Sequence, residues 1–157
     1  MKFKYIFLVI IIGVIISVIY LFLKPAKISG IYQDITYDKR WDSECKSTIV
    51  LVDNAPLTKS NLAKLWSREK TFILDQWKPF VNKCDYILFI KNKTEPPLDS
   101  EEVKYWVGDY QLCLKGKIDN CISKDERLFY IGIDKQIYGD RLIGEFGNKK
   151  LYLSFVD

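Results

Sequence analysis

The sequence predicts an α+β fold: an N-terminal single transmembrane helix followed by an antiparallel sheet packed on one long helix. Three observations predict it. An uncharged apolar run fills residues 5–23. A stretch from 59 to 77 repeats its apolar residues at helical spacing. Short runs rich in β-branched and aromatic residues, separated by turn residues, take up most of the remainder. The expected division is a cytoplasmic tail at 1–4, a transmembrane helix at 5–23 and a periplasmic α+β domain at 24–157.

The first run reads YIFLVIIIGVIISVIYLFL, 19 residues without a charge. As a helix it would reach roughly 28 Å, close to the ~30 Å of bilayer hydrocarbon. A cleaved signal peptide is the competing reading, with MKFK as its basic start. The run exceeds the usual signal core and no small-x-small cleavage pattern follows it, so an uncleaved anchor in membrane lipid is favoured. Lys2 and Lys4 before the run balance Lys24 and Lys27 after it. The short tail ahead of a large domain then places the N-terminus in the cytoplasm. Within the run, Gly13 and Ser17 make a small-xxx-small step, which occurs often by chance and reads as lipid-facing.

After a basic tether, ISGIYQDITY (28–37) alternates and reads as an edge strand. DKRWDSECK (38–46) is a charged connection, and STIVLVD (47–53) a buried strand halted by Asn54-Ala55-Pro56. Thr58 or Ser60 can cap the helix, and Leu62, Leu65, Trp66, Phe72, Ile73 and Trp77 fall broadly on one face. Pro79 ends it. CDYILFIKN (84–92) reads as a central strand, and KTEPPLDSEE (93–102), with two prolines and four acids, as an exposed loop. Asn92-Lys93-Thr94 matches the glycosylation triplet, a short pattern. KYWVGDYQLCL (104–114) and RLFYIGID (127–134) read as strands, and RLIGEF (141–146) with KLYLSF (150–155) as a hairpin turning at Gly147-Asn148.

Charge and composition narrow the chemistry. The chain has 24 basic and 20 acidic residues and no histidine. Only Lys2 and Lys4 precede residue 24, so the remainder carries 22 basic and 20 acidic residues, a net of +2. That is too weak for a nucleic-acid footprint, and no basic stripe is present. The absence of histidine removes the commonest general base and transition-metal ligand. Asp99, Glu101 and Glu102 lie in the acidic loop and read as solvated charges. No Ser or Cys has a histidine to activate it, and the eight glycines are scattered. No catalytic residue, cofactor or metal is expected; carboxylate-only or lysine-based catalysis stays open as the alternative.

All four cysteines, Cys45, Cys84, Cys113 and Cys121, follow the apolar run. An even count in a domain behind an export signal fits a disulfide framework in an oxidising space. Four cysteines allow three pairings. Locality favours Cys113 with Cys121 across CLKGKIDNC, which leaves Cys45 for Cys84. Zinc would need close pairs or histidines, and a thioredoxin-type site would need CxxC. Unpaired buried thiols are the remaining alternative.

VDNAPLTKSNLAKLW (52–66) follows a strand and opens a helix. It resembles the corresponding segment of the enterobacterial membrane protein family called domain of unknown function 943. There a hydrophobic strand leads through Phe- or Ala-Pro-Leu/Val-Thr into a helix ending in Trp. That family also carries an N-terminal span followed by a Lys/Arg-Pro step, matched by Leu23-Lys24-Pro25, and a late cysteine pair, matched by Cys113 and Cys121. The resemblance covers most of the chain. It departs at Leu65-Trp66, where the family often has two adjacent Trp, and Cys45 and Cys84 are outside the family pattern. It implies a bacterial inner-membrane location and no mechanism.

Phe, Trp and Tyr make up 15% of the chain, and such residues dominate protein-binding hot spots. Most of them are needed to fill a small core. Tyr105 and Trp106, beside the acidic loop, are the candidate partner contact. The expected function is a membrane-anchored periplasmic protein-binding module, with an immunity-type inhibitor of a toxin as its sharpest form. The alternative is a structural or accessory subunit of a cell-envelope complex, and an envelope enzyme of unfamiliar type comes third.

Overall fold

A computed structural model describes residues 10–15, 17, 24–98, 106–114, 120–133 and 141–156. Strand β1 (Lys27–Asp38) turns into β2 (Ser43–Asp53), which leads to helix α1 (Lys59–Trp77). Then come β3 (Tyr86–Lys91), the two-residue strands β4 (Thr94–Glu95) and β5 (Gln111–Leu112), and β6 (Cys121–Ser123). A 3-10 turn at Lys124–Glu126 leads to β7 (Arg127–Ile133), followed by β8 (Arg141–Phe146) and β9 (Lys149–Phe155). Six strands form one sheet in the order β1-β2-β3-β7-β9-β8, and β4-β6-β5 form a second.

The Thr58 side chain starts α1 by accepting from the Asn61 N–H at 3.3 Å. Lys78 stops it in the left-handed region (φ 44), its N–H bonded to the Leu74 carbonyl at 3.2 Å. The β8–β9 turn needs φ 62 at Gly147, a conformation that costs a glycine nothing.

The second half of β2, Ile49–Val52, is continuously apolar because both its faces are covered. On one side Val50, Val52, Ile87, Phe89, Phe129, Ile131, Leu151 and Leu153 share a buried cluster with Leu62, Leu65, Trp66 and Ile73. Phe89 stacks on Phe129 at 4.3 Å between ring centres and meets the edge of Trp66 at 6.2 Å. On the other side Ile49, Leu51, Leu88 and Ile90 pack under Leu112, Leu114 and Ile122 of the small sheet. Two disulfides close the chain on itself, Cys45–Cys84 and Cys113–Cys121.

This architecture corrects the expected fold class. The chain is mostly β-sheet, and its main sheet is mixed, because β2 and β3 run parallel. The reason is the connection: a strand, a 19-residue helix and a strand make a crossover, which returns the chain in the same direction. A second sheet, unexpected from sequence, covers the face that α1 leaves bare. The stretch 104–114 forms only the short β5 and an isolated Val107–Leu112 bridge, with 104 and 105 outside the described residues.

The localisation is corrected as well. No helix among the described residues is long and apolar enough to cross a membrane, which overturns the single-pass inner-membrane placement with a cytoplasmic N-terminus and a periplasmic domain. Of the run at 5–23, the described residues 10–15 and 17 are helical, and the rest lies outside the described residues.

Candidate functional site

The site begins at the turn between β1 and β2. Asp38 accepts from the Arg40 backbone N–H at 2.8 Å and from its Nε and Nη2 at 3.1 and 2.6 Å. The Trp41 N–H donates to the Asp38 carbonyl at 3.2 Å. Asp42 holds φ 46 and accepts from the Tyr37 hydroxyl. These bonds have electrostatic consequences. The Arg40 guanidinium holds the Asp38 carboxyl below the usual range, and donation to Asp42 keeps the Tyr37 phenol above its ordinary value. The result is a pinned turn that projects Tyr37 and Trp41, 60% and 47% exposed.

Behind Trp41 lies a cavity of about 520 Å³, walled by Asp38, Arg40, Trp106 and Val107 and floored by Tyr86 and the Cys45–Cys84 bridge. Burial pushes the Tyr86 phenol up, and a hydrogen bond with Ser47 offsets part of that. Tyr86 also meets Tyr130 edge-on at 5.9 Å. The floor is stitched from below by Asp85, fully buried, which accepts from the backbone N–H groups of Lys46, Val81 and Asn82, each at 2.6 Å. Aromatic faces, one ion pair and a rigid floor equip this cavity to seat a side chain. Among the described residues, no group of three or more His, Cys, Asp or Glu is placed to hold a metal.

Trp106 thus sits in the cavity wall, half-buried and packed against the second core cluster, while Tyr105 lies outside the described residues. The Trp106 indole N–H is buried without a hydrogen-bond partner among the described residues. Cys45 and Cys84 belong to the floor, whereas Cys113 and Cys121 serve the small sheet. Sequence reasoning passed over Tyr37, Trp41 and Tyr86. Trp41 had a legible signal: an indole flanked by Asp38, Lys39, Arg40 and Asp42 cannot sit in a core.

A larger cavity of about 680 Å³ opens at the carboxyl end of β2, lined in part by Lys24, Thr58, Asn61 and Lys64. Of the cations that line it, Arg68 is already engaged, donating to the Ala26 carbonyl and to Glu69 at 2.6 Å each.

Polar ties knit the small sheet together and fasten its exit to the main one. Gln111, fully buried, donates to Glu95 at 2.7 Å and accepts from the Leu98 N–H at 2.9 Å. Glu126 accepts from Lys91 at 2.8 Å and from Lys93 at 2.7 Å. Lys91 first and Lys93 second hold its carboxyl below the usual range. A depressed carboxylate stabilises the fold above its unfolded-state pKa and loses that contribution as pH falls through the folded value. Wild type is therefore expected to lose stability relative to Glu126→Gln below about pH 4.5, by at most ~1 kcal/mol for so accessible a network. Urea unfolding of both proteins between pH 3 and 7 checks this; parallel curves would remove Glu126 from the account.

Compared with family models, with curated proteins and with solved structures, the chain matches none.

Proposed function

We propose that the chain is a disulfide-bonded binding domain for another protein, and that the β1–β2 turn with its aromatic cavity is the contact. One observation carries the reading: a hydrogen-bonded turn holds two large aromatics outward, Trp41 at the mouth of a cavity with an aromatic wall and Tyr37 on the other face of β1. Leaving such side chains in water is unfavourable, and ordering them in advance lowers the entropy cost of association. Aromatic anchors next to a pocket are where binding energy concentrates. The two bridges suit an oxidising, extracytoplasmic space. The sharpest form of the reading is an immunity-type inhibitor, which occupies a toxin and needs no chemistry of its own.

Affinity capture with the full chain, run beside Trp41→Ala, tests this. A single stoichiometric partner is expected, bound about 30-fold more weakly by Trp41→Ala, the effect of a 2 kcal/mol hot spot. Titrating the chain into an assay of that partner's toxicity should abolish it at one equivalent. Equal capture by both proteins would overturn the contact, and a partner whose activity is untouched would overturn the inhibitor.

A further inference from the structure

Strand β1 is the outermost strand of the main sheet, and no described residue pairs with its outer flank. It runs for 12 residues, about twice the usual strand length. Sheet edges are normally protected by shortness, bulges, lysine or proline, because a free row of N–H and C=O groups is a template for another strand. The opposite edge follows that rule: β8 has six residues, a bulge between Leu142 and Gly144, and exposed Arg141 and Glu145. In β1 the bulge and the only lysine, Lys27, are confined to its first four residues. From Ile31 to Asp38 the register with β2 is unbroken, with no proline and no lysine.

The register also sorts the side chains of that unprotected stretch. Tyr32 packs on the small-sheet side, and the Gln33 amide reaches the Trp77 carbonyl on the α1 side at 2.9 Å. Alternation then puts Ile35 and Tyr37 with Gln33, and Asp34 and Thr36 with Tyr32. Ile35 and Tyr37 are 56% and 60% exposed. Asp34 is half-buried, its charge is felt by Tyr86, and its carboxylate makes no hydrogen bond or ion pair with any described residue. An unprotected edge with an apolar side and an unneutralised carboxylate on the other asks for a strand of complementary pattern.

We propose that residues 33–37 of β1 receive an extended segment of the partner protein as a seventh strand, apolar against Ile35 and Tyr37 and bearing Lys or Arg opposite Asp34. This specifies how the protein-binding reading above works, and rests on it. Main-chain hydrogen bonds would supply affinity and the alternating side chains selectivity. A second copy of this chain is the poorer occupant. Pairing β1 with itself would line one side with Asp34 and Asp38 from both strands, and Arg40 is already held by Asp38.

The test uses the full chain and three synthetic ten-residue peptides: alternating Val and Lys, alternating Val and Glu, and the Val–Lys peptide with two central residues replaced by Pro. The expected result is binding of the Val–Lys peptide, with amide-exchange protection gained on β1, and none for the proline version. Asp34→Lys should weaken the Val–Lys peptide by about fivefold and strengthen the Val–Glu peptide by a similar factor, the scale of cross-strand charge pairs. Asp34→Asn provides the milder variant should the lysine hinder folding. Protection away from β1, equal binding of both charged peptides, or protection of β1 by raising the chain's own concentration would each overturn the proposal. If a captured partner depends on Trp41 yet is indifferent to Ile35→Lys, the strand addition fails while protein binding stands.

Discussion

Replacing Cys45 and Cys84 together by alanine is expected to lower the unfolding free energy by about 4 kcal/mol, the largest effect of any change outside the hydrophobic core. The two cysteines are separated by 39 residues, a loop that contains most of β2, all of α1 and the bend before β3. Closing a loop of that length removes much of the freedom of the unfolded chain, and the loop-entropy relation gives this magnitude. The Cys113–Cys121 bond closes a separation of only eight, for which the same relation gives about 2.5 kcal/mol. The comparison is the useful part, because both proteins lose one bridge and differ in loop length. Urea unfolding of Cys45→Ala/Cys84→Ala against Cys113→Ala/Cys121→Ala should place the first pair about 1.5 kcal/mol lower. Equal losses, or a reversed order, would show that native packing around the bridges outweighs chain entropy. The same double variant also removes the floor of the aromatic cavity, so partner binding should weaken along with stability.

Much of the local structure was legible and much of the assembly was not. Thr58 and Pro79 bracket a helix that spans Lys59–Trp77, because capping and the missing proline N–H are local effects. Gly147 marks its turn for an equally local reason. Strand order is not local. β3 pairs with β7 and β7 with β9, and nothing within any of those runs names its neighbour. The parallel β2–β3 pair did leave a sign, since both runs are apolar without alternation and a helix lies between them. β4, β5 and β6 have two or three residues each, too short for periodicity, and exist because Leu112 and Ile122 find an apolar face to cover. Of the cavity, the Cys45–Cys84 bridge was anticipated by elimination once Cys113 was assigned to Cys121, but Tyr86 was hidden inside a strand buried on both sides.

Asp85→Ala is expected to cost about 3 kcal/mol, although Asp85 does not itself line the cavity. Its carboxylate is fully buried and accepts three backbone N–H groups, one from β2 at Lys46 and two from the bend at Val81 and Asn82. Hydrogen bonds to a charged acceptor contribute about 1.5–3 kcal/mol each in a protein, and the sum is discounted here because water can reach part of this bend once the side chain is gone. Asparagine is not a rescue. The Lys46 N–H donates to Oδ1 while Val81 and Asn82 share Oδ2, so an amide NH₂ must face at least one donor whichever way it turns. Asp85→Asn should therefore fall between wild type and Asp85→Ala, by roughly half the loss. Amide exchange adds a readout that a general softening of the core would not give: Lys46, Val81 and Asn82 should lose protection while Ile49 and Phe89 keep theirs. A loss below about 1 kcal/mol for Asp85→Ala, or exchange spread evenly over β2 and β3, would mean that the bend is held by the adjacent Cys45–Cys84 bridge instead. That outcome has a sharp consequence, because Asp85→Ala would then become severe only in a chain already lacking the bridge, a coupling that the triple variant measures directly.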